Sequence, residues 1–347
     1  MLAGKFFWQS LWALLLGFMI SGAIQAFVSR DKMVSYLGDP SLSSVGWAMA
    51  FGTASTSCSF GDIAATKTLF RKGAHIIPSI AFLIASTNLV IGLSFVIWVL
   101  LGWEVVVAEA IGAPIFIFFS CSMVYLFVPE EWVETAREKL IKEEEPVVID
   151  PVCKMRIERE NGIEHQHRNE IFFFCSNGCR KLFKQHPDEY REVWTEKITS
   201  WNGWVDAANQ TRKDFLMLWK ELFIGFLLAG LIAAAVPDRA WTALFEGAGT
   251  GFFNVLYNAA LGPIISLLTF VGSIGNVPLA AVLMSAGMSF AGVISFIYAD
   301  LIVPQLIGIY RKVFGKKMGT AISLILYVSM VLTGLTVFYL FLLLGVI

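Results

Sequence analysis

Three of the chain's five cysteines fall in one polar stretch, Cys153 in "DPVCKM" and Cys175 and Cys179 in "FFFCSNGC". Thiolates are soft ligands that select Cu(I), Zn(II) or trivalent arsenic, and a Cys-x3-Cys pair on a turn into a helix can direct two sulfurs to one ion. Cys153 would complete a trigonal site. His165 and His167, in "GIEHQHRNEI", stand two residues apart. On a strand they share a face, so one of them could add a nitrogen ligand. Two other readings of the sulfurs stay open: thiols that only pack, or a Cys175–Cys179 disulfide, which helical spacing makes awkward.

A second set of polar residues lies within sequence that is otherwise apolar. Cys58, Ser59 and Asp62 occur in "CSFGD", Ser273 and Asn276 in "GSIGN", and Asn88 and Asp300 follow the apolar runs further on. A carboxylate in hydrocarbon is costly enough to mark a functional site by default. Asp62 would also serve as the cap of a helix beginning there. The chemistry expected of this group is a pathway, with the Cys58 thiol holding a soft cation while Asp62 exchanges a proton. Cys121 reads as a small core residue, and Met284 and Met288 read as packing although their thioethers suit Cu(I).

The elements that must position these residues are membrane helices. With 56% apolar and 15% charged residues and a mean hydropathy of +0.68, the chain is too greasy for a soluble domain. Apolar runs at Phe6–Val28, Ile76–Leu101, Val105–Val128, Phe215–Val236, Gly251–Val271 and Met318–Ile347 each suffice to cross a bilayer. The first has one basic residue before it and no small-residue cleavage site after it, so it reads as a retained helix. Between Pro129 and Asp214 the sequence turns polar, which predicts a soluble insert too small to fold on its core alone without a metal or disulfide.

An internal repeat organises the rest. Gly17–Gly38 matches Gly225–Glu246 at an offset of 208, and the segments starting at Gly61 and Gly275 match at an offset of 214, pairing Asp62 with Asn276 and Gly73 with Gly287. Each copy also carries a break: Val45–Thr56 runs into "SCSFGD" and a second piece to Lys72, and Gly251–Val271 runs into "GSIGN" and a piece to Ala286. Matched breaks suggest discontinuous helices around a substrate, as in transporters; the alternative is close packing through small residues. The expected fold class is an all-α polytopic membrane protein built from two repeats, with a small α+β cysteine-containing soluble insert. Its expected divisions are 1–128 (repeat one), 129–147 (charged linker helix), 148–192 (thiol domain), 193–214 (linker) and 215–347 (repeat two).

The paired motifs "CSFGDIAATKTLFRKGA" with "AFLIAS", and "GSIGNVPLAAVLMSAGMSFAG" with "SF", resemble the ArsP-like predicted permeases. Phe60 and Ala64 stand where that family often has a second cysteine and a proline; Pro278 keeps the proline in copy two. The insert resembles the small YHS domain, related to the TRASH metal-binding fold, through Asp150, Pro151, Val152, Cys153, Met155, Phe174, Cys175, Ser176, Cys179, Phe183, Pro187 and Tyr190. The first resemblance implies a permease that exports soft metal ions or metalloids such as copper, zinc or trivalent or organic arsenic. The second implies a zinc or copper site in the insert. Two other readings compete: a transporter of another small solute with a merely regulatory insert, and a membrane metal sensor.

No Gly-x4-Gly-Lys-Ser/Thr loop occurs, so the sequence predicts neither a nucleotide site nor an enzyme, and no cofactor required for transport. A net charge of −1 argues against nucleic acid. The partners expected are the cargo and the lipid bilayer of the cell membrane, with oligomeric state left open. Arg137, Lys139, Lys142, Arg212 and Lys213 flank the insert and favour a cytoplasmic location.

Overall fold

The computed structural model describes residues 36–54, 59–71, 73–142, 147–153, 155–158, 161–167, 170–185, 251–269 and 273–347, with scattered positions between 201 and 245. The expected spans Phe6–Val28 and Phe215–Val236, and the first repeat match at offset 208, lie outside the described residues. Two compact units are present, one from the stretches 1–137 and 205–347 and one from 138–204.

In the first unit the helices are α1 (Leu42–Ala54), α2 (Ser59–Arg71), α3 (Ile76–Asn88), α4 (Ile91–Leu101) and α5 (Trp103–Phe127), followed by the start of α6 (Glu130–Lys142). The second half supplies α8 (Phe252–Thr269), α9 (Ser273–Ser285), α10 (Phe290–Tyr298) with a 3-10 turn (Ala299–Ile302), α11 (Pro304–Val313) and α12 (Lys316–Leu343). Adding 214 to the bounds of α2 gives those of α9, and adding it to those of α3 gives Phe290–Ile302, which are α10 and its turn together. The same shift takes α5 onto residues 317–341 of α12. The duplication read from glycines is thus a duplication of helices.

Local chemistry explains why the ends coincide. At the end of α2, the Gly73 N–H donates to Phe70 O at 3.3 Å and the Ala74 N–H to Leu69 O at 3.1 Å; at the end of α9, the Gly287 N–H donates to Met284 O at 3.1 Å and the Met288 N–H to Leu283 O at 3.0 Å. Gly73 and Gly287 have φ of 115° and 96°, which is where glycine ends a helix at least cost. The next helix then starts on a side-chain cap. His75 Nδ1 accepts from the Ile77 N–H at 3.2 Å, and Ser289 Oγ accepts from the Gly292 N–H at 3.3 Å.

The run Ile76–Leu101, expected as one span, is instead two helices bent by 46°, and Phe290–Ile302 with Pro304–Val313 bends by the same 46°. In copy two the 3-10 turn and Pro304 account for the bend. In copy one the break residues Leu89 and Val90 are neither proline nor glycine, and Gly92 falls inside α4. Instead Ser86, Thr87 and Asn88 each donate a side-chain hydrogen bond back to a carbonyl of Leu83 or Ile84, which loosens the last turn of α3. Among the described residues α5, α8 and α12 are long and apolar enough to cross a membrane, and each bent pair adds one more candidate span. The copies interlock: α9 packs on α4, and Phe70 at the end of α2 meets Phe314 just past α11 with ring centroids 5.6 Å apart.

The second unit holds two antiparallel ribbons and one helix. β1 (Val147–Ile149) pairs with β2 (Arg156–Glu158), β3 (Ile163–His167) pairs with β4 (Glu170–Phe174), and α7 (Asn177–Gln185) follows. Ile163 stands opposite Phe174 and His167 opposite Glu170. Phe174 and Phe183 are fully buried, with ring centroids 5.2 Å apart, and Phe172 lies 4.6 Å from Phe183. A core of three phenylalanines is small for an independent unit, so a further constraint would contribute much of its stability.

Candidate transport site and candidate metal centre

In the insert the structure gathers Asp150, Cys153, Cys175 and Cys179, whose ligand atoms all lie within 4.8 Å of one another. The Cys153 and Cys175 sulfurs are 3.5 Å apart and those of Cys175 and Cys179 are 3.7 Å apart. All three are free thiols. Sulfurs bound about 2.3 Å from one tetrahedral ion stand about 3.8 Å apart, so the three thiols fit a shared soft ion. The site is assembled at the entry of α7. Ser176 caps that helix by accepting from the Cys179 N–H at 3.3 Å, which holds Cys179 over Cys175.

Asp150 is the organising residue, and it is absent from the ligand set inferred from sequence. Its Oδ1 accepts from the N–H groups of Val152 at 2.9 Å and Cys153 at 3.4 Å, and its Oδ2 accepts from that of Cys175 at 2.7 Å. Burial pushes its carboxyl up, but the hydrogen bonds from Cys175, Val152 and Cys153 outweigh that and hold it at about 2. One carboxylate thereby ties both cysteine-bearing loops together. An aspartate three residues ahead of a cysteine, able to make an Asx turn, is the signal that would have found it. In the metal-free thiol form Cys175 is raised to about 12, first by its hydrogen bond to Asp150, then by the Cys153 thiol and burial.

His165 and His167 do share one face of β3, as their spacing predicts. The structure nevertheless places neither in the group of converging ligand atoms. Their rings lie 6.4 and 5.8 Å from that of Phe183, nearly perpendicular to it. The ribbon turns this face toward the aromatic core, away from the role of added nitrogen ligand that one of them could have taken.

In the membrane unit Asp62, Asn88, Asn276 and Asp300 are buried. Cys58 lies outside the described residues; Ser59 opens α2, and the half-buried Ser273 opens α9. Asp62 Oδ2 accepts from the Thr87 hydroxyl at 3.2 Å, and its backbone carbonyl accepts from Thr66 at 2.7 Å. The amide of Asn276, its counterpart, donates to Ser266 Oγ at 3.1 Å, while Asn276 Oδ1 has no hydrogen-bond partner among the described residues. Asn88 donates to Ile84 O at 3.0 Å and is thereby occupied with the α3 bend. Tyr310, buried beside the 3-10 turn that carries Asp300, donates its hydroxyl to Leu301 O at 3.0 Å.

One buried carboxylate was not singled out from sequence. Glu109 on α5 is only 1% exposed, inside the run Val105–Val128. An acidic residue within an apolar run of spanning length is itself the signal that would have found it. Cys121 is also buried, with its sulfur 3.6 Å from Ile77 O, in agreement with a core role.

The family model described as a predicted permease, ArsP_1, matches residues 2–339, across both halves and the insert. "Putative permease Rv2963" of Mycobacterium tuberculosis is 35% identical over 314 residues, which cover 90% of this chain and 70% of that protein. "UPF0718 protein MJ0584" of Methanocaldococcus jannaschii is 22% identical over 326 residues, 88% of this chain and 85% of that protein. No solved structure matches the chain. Two interlocked copies of a bent-helix unit, the buried carboxylates within them and a family match over nearly the whole length lead to one conclusion: this is a multi-pass membrane protein that belongs to the ArsP_1 family of predicted permeases.

Proposed function

We propose that this permease exports a soft metal ion or metalloid, with the insert as a YHS-like module that captures or senses the same species. The observation that carries the reading is the cluster of three thiols and Asp150 within 4.8 Å. Hard cations prefer oxygen, and a three-sulfur set favours Cu(I), Zn(II) or trivalent arsenic. Cys153, Cys175 and Cys179 would hold the ion, and Asp150 would keep their loops in place. Cys58, one residue ahead of α2 in the sequence, would offer the cargo a single thiol in the membrane. Asp62 would exchange a proton there, and Asn276 would face it from the other copy. A single thiol binds loosely enough to release its cargo, whereas the insert retains it.

The basic residues on either side of the insert support a cytoplasmic location, where its thiols stay reduced. The test is equilibrium binding of Zn(II), Cu(I) and arsenite to the purified full chain, with tolerance to the same species measured in expressing cells. The reading expects about one equivalent bound, lost in Cys175→Ser, and altered tolerance to at least one species. Unchanged tolerance to all three favours another small solute with the insert as a regulator, a reading supported by the insert's being a compact unit of its own.

A further inference from the structure

Glu109 lies six residues beyond Trp103 at the start of α5, about 9 Å along the helix. Its side chain is 1% exposed, and neither Oε1 nor Oε2 has a hydrogen-bond partner among the described residues. The closest phenol does not answer it. Tyr298 donates its proton to the backbone carbonyl of Glu109 at 2.9 Å, with its hydroxyl seated over Gly112 and its ring 5.2 Å from that of Phe116.

The charged and titratable surroundings are sparse. Tyr298 faces Glu109 from α10, and Asp300 in the 3-10 turn acts on it electrostatically. The sequences of α3 and α4 contain no acidic or basic residue. On α12, Lys316 and Lys317 sit in the first turn, Tyr327 donates to Ala260 O, and Tyr339 stacks on Phe252. On α5 itself Glu104 stands in the first turn, and Cys121 lies more than three turns further on. Among the described residues, therefore, no cation faces the carboxyl from these elements, and the charge that acts on it is another acid, Asp300.

An ionised carboxylate placed so would carry its whole desolvation cost with nothing to offset it. As the neutral acid it can stay, but a neutral acid without a partner gives the fold nothing that methionine would not. Such a side chain has a use only if its proton leaves and returns. We propose that Glu109 is a second proton-binding site of the permease, separate from Asp62, loaded in the arrangement seen here and exchanging its proton with water during the transport cycle. In that step the O–H bond of the carboxyl breaks, the electron pair stays on the carboxylate oxygen, and water takes the proton; reloading is the reverse. The inference rests on the chain's being a permease and is independent of the thiol reading, because its test uses no metal or metalloid.

The test is infrared spectroscopy of the full chain reconstituted in phosphatidylcholine vesicles and titrated with H2O and D2O buffers. At neutral pH the native chain should show the carbonyl band of a protonated carboxyl in apolar surroundings. That band should move on exchange into D2O, disappear in Glu109→Gln, and persist in Asp62→Asn and Asp300→Asn. If Glu109→Gln does not assemble, Glu109→Asp, which keeps the acid, should shift the band. A native chain without the band at neutral pH, a band that ignores D2O, or one that survives unchanged in Glu109→Gln or Glu109→Asp overturns the proposal.

Discussion

The two copies of the membrane unit share their helix ends but not their charges. Among the described residues, each buried carboxylate of one copy corresponds, at the 214-residue shift, to a buried neutral residue in the other: Asp62 to Asn276, Glu109 to Ser323 and Asp300 to Ser86. Backbone features that need no charge are kept instead, including the left-handed Gly73 and Gly287 and the caps on His75 and Ser289. Duplication has therefore fixed the scaffold twice and distributed the acids once. A buried acid is costly enough that a second set at the equivalent sites would add cost without a second function.

The largest effect should follow from erasing that asymmetry. Asp62→Asn makes copy one read like copy two at this position; transport should fall to background while folded protein still reaches the membrane. Cargo flux in vesicles and size-exclusion of the extracted protein separate the two. The exchange Asp62→Asn/Asn276→Asp tests whether position matters, because the new acid would meet Ser266 and not Thr87. It should not restore activity, and full restoration would mean that the copies are interchangeable.

The insert has no counterpart in either repeat, and its sensitivity should be of a different kind. Asp150→Asn removes the charge that ties three backbone N–H groups together, and should cost about 2–3 kcal/mol of the insert's stability. It should also weaken binding of Zn(II) measured on the full chain. The pH dependence follows from the depressed value. A carboxyl held at about 2 in the folded insert, against an ordinary 3.8, contributes stability that is complete above about 4 and lost as pH falls through 2. Insert unfolding on acidification, followed by tryptophan-independent backbone signals such as amide exchange at β3 and β4, should show this window in the native chain and not in Asp150→Asn.

A smaller effect belongs to the close approaches within each copy. A Cβ at Gly52 would stand 2.7 Å from Ala85 Cβ and 2.8 Å from Phe82 O, and one at Gly262 would stand 2.5 Å from Gly292 O. These glycines are one turn apart in the repeat frame and so are the residues they meet, so both copies seat the first helix on the bent helix in the same register, with the close approach one turn displaced. Gly52→Ala and Gly262→Ala should each lower stability by about 1–3 kcal/mol, read as the thermal midpoint of the detergent-extracted protein. Gly308→Ala, where nothing lies within 4 Å, should leave it unchanged.

Much of this was readable from the sequence, and the gaps have physical causes. Gly73 and Gly287 exposed the repeat because a left-handed helix end needs glycine, and Gly61 and Gly275, inside the helices before them, kept the same spacing. The bend after α3 was hidden because "IASTNLVIGL" contains no proline and its one glycine, Gly92, falls inside α4; three consecutive side chains compete for helix carbonyls just before the bend. The sulfur cluster was legible because cysteine spacing is a geometric statement. The histidines misled because alternation gives the face of a strand and does not say what that face meets.

The smallest effect concerns a position where the copies differ without any charge. Cys121 on α5 corresponds to Leu335 on α12, and its sulfur lies 3.6 Å from Ile77 O, at the margin of a weak S–H bond. A serine there would trade that contact for a stronger O–H donor to the same carbonyl and give up some apolar packing. The two terms nearly cancel, so Cys121→Ser should change stability by no more than about 1 kcal/mol and leave transport unaltered for thiophilic and other cargo alike. Cys58→Ser, by contrast, should impair thiophilic cargo selectively. If side-by-side flux assays show the greater selective loss in Cys121→Ser, the membrane thiol that meets the cargo is on α5, and the assignment of Cys58 to the pathway is wrong.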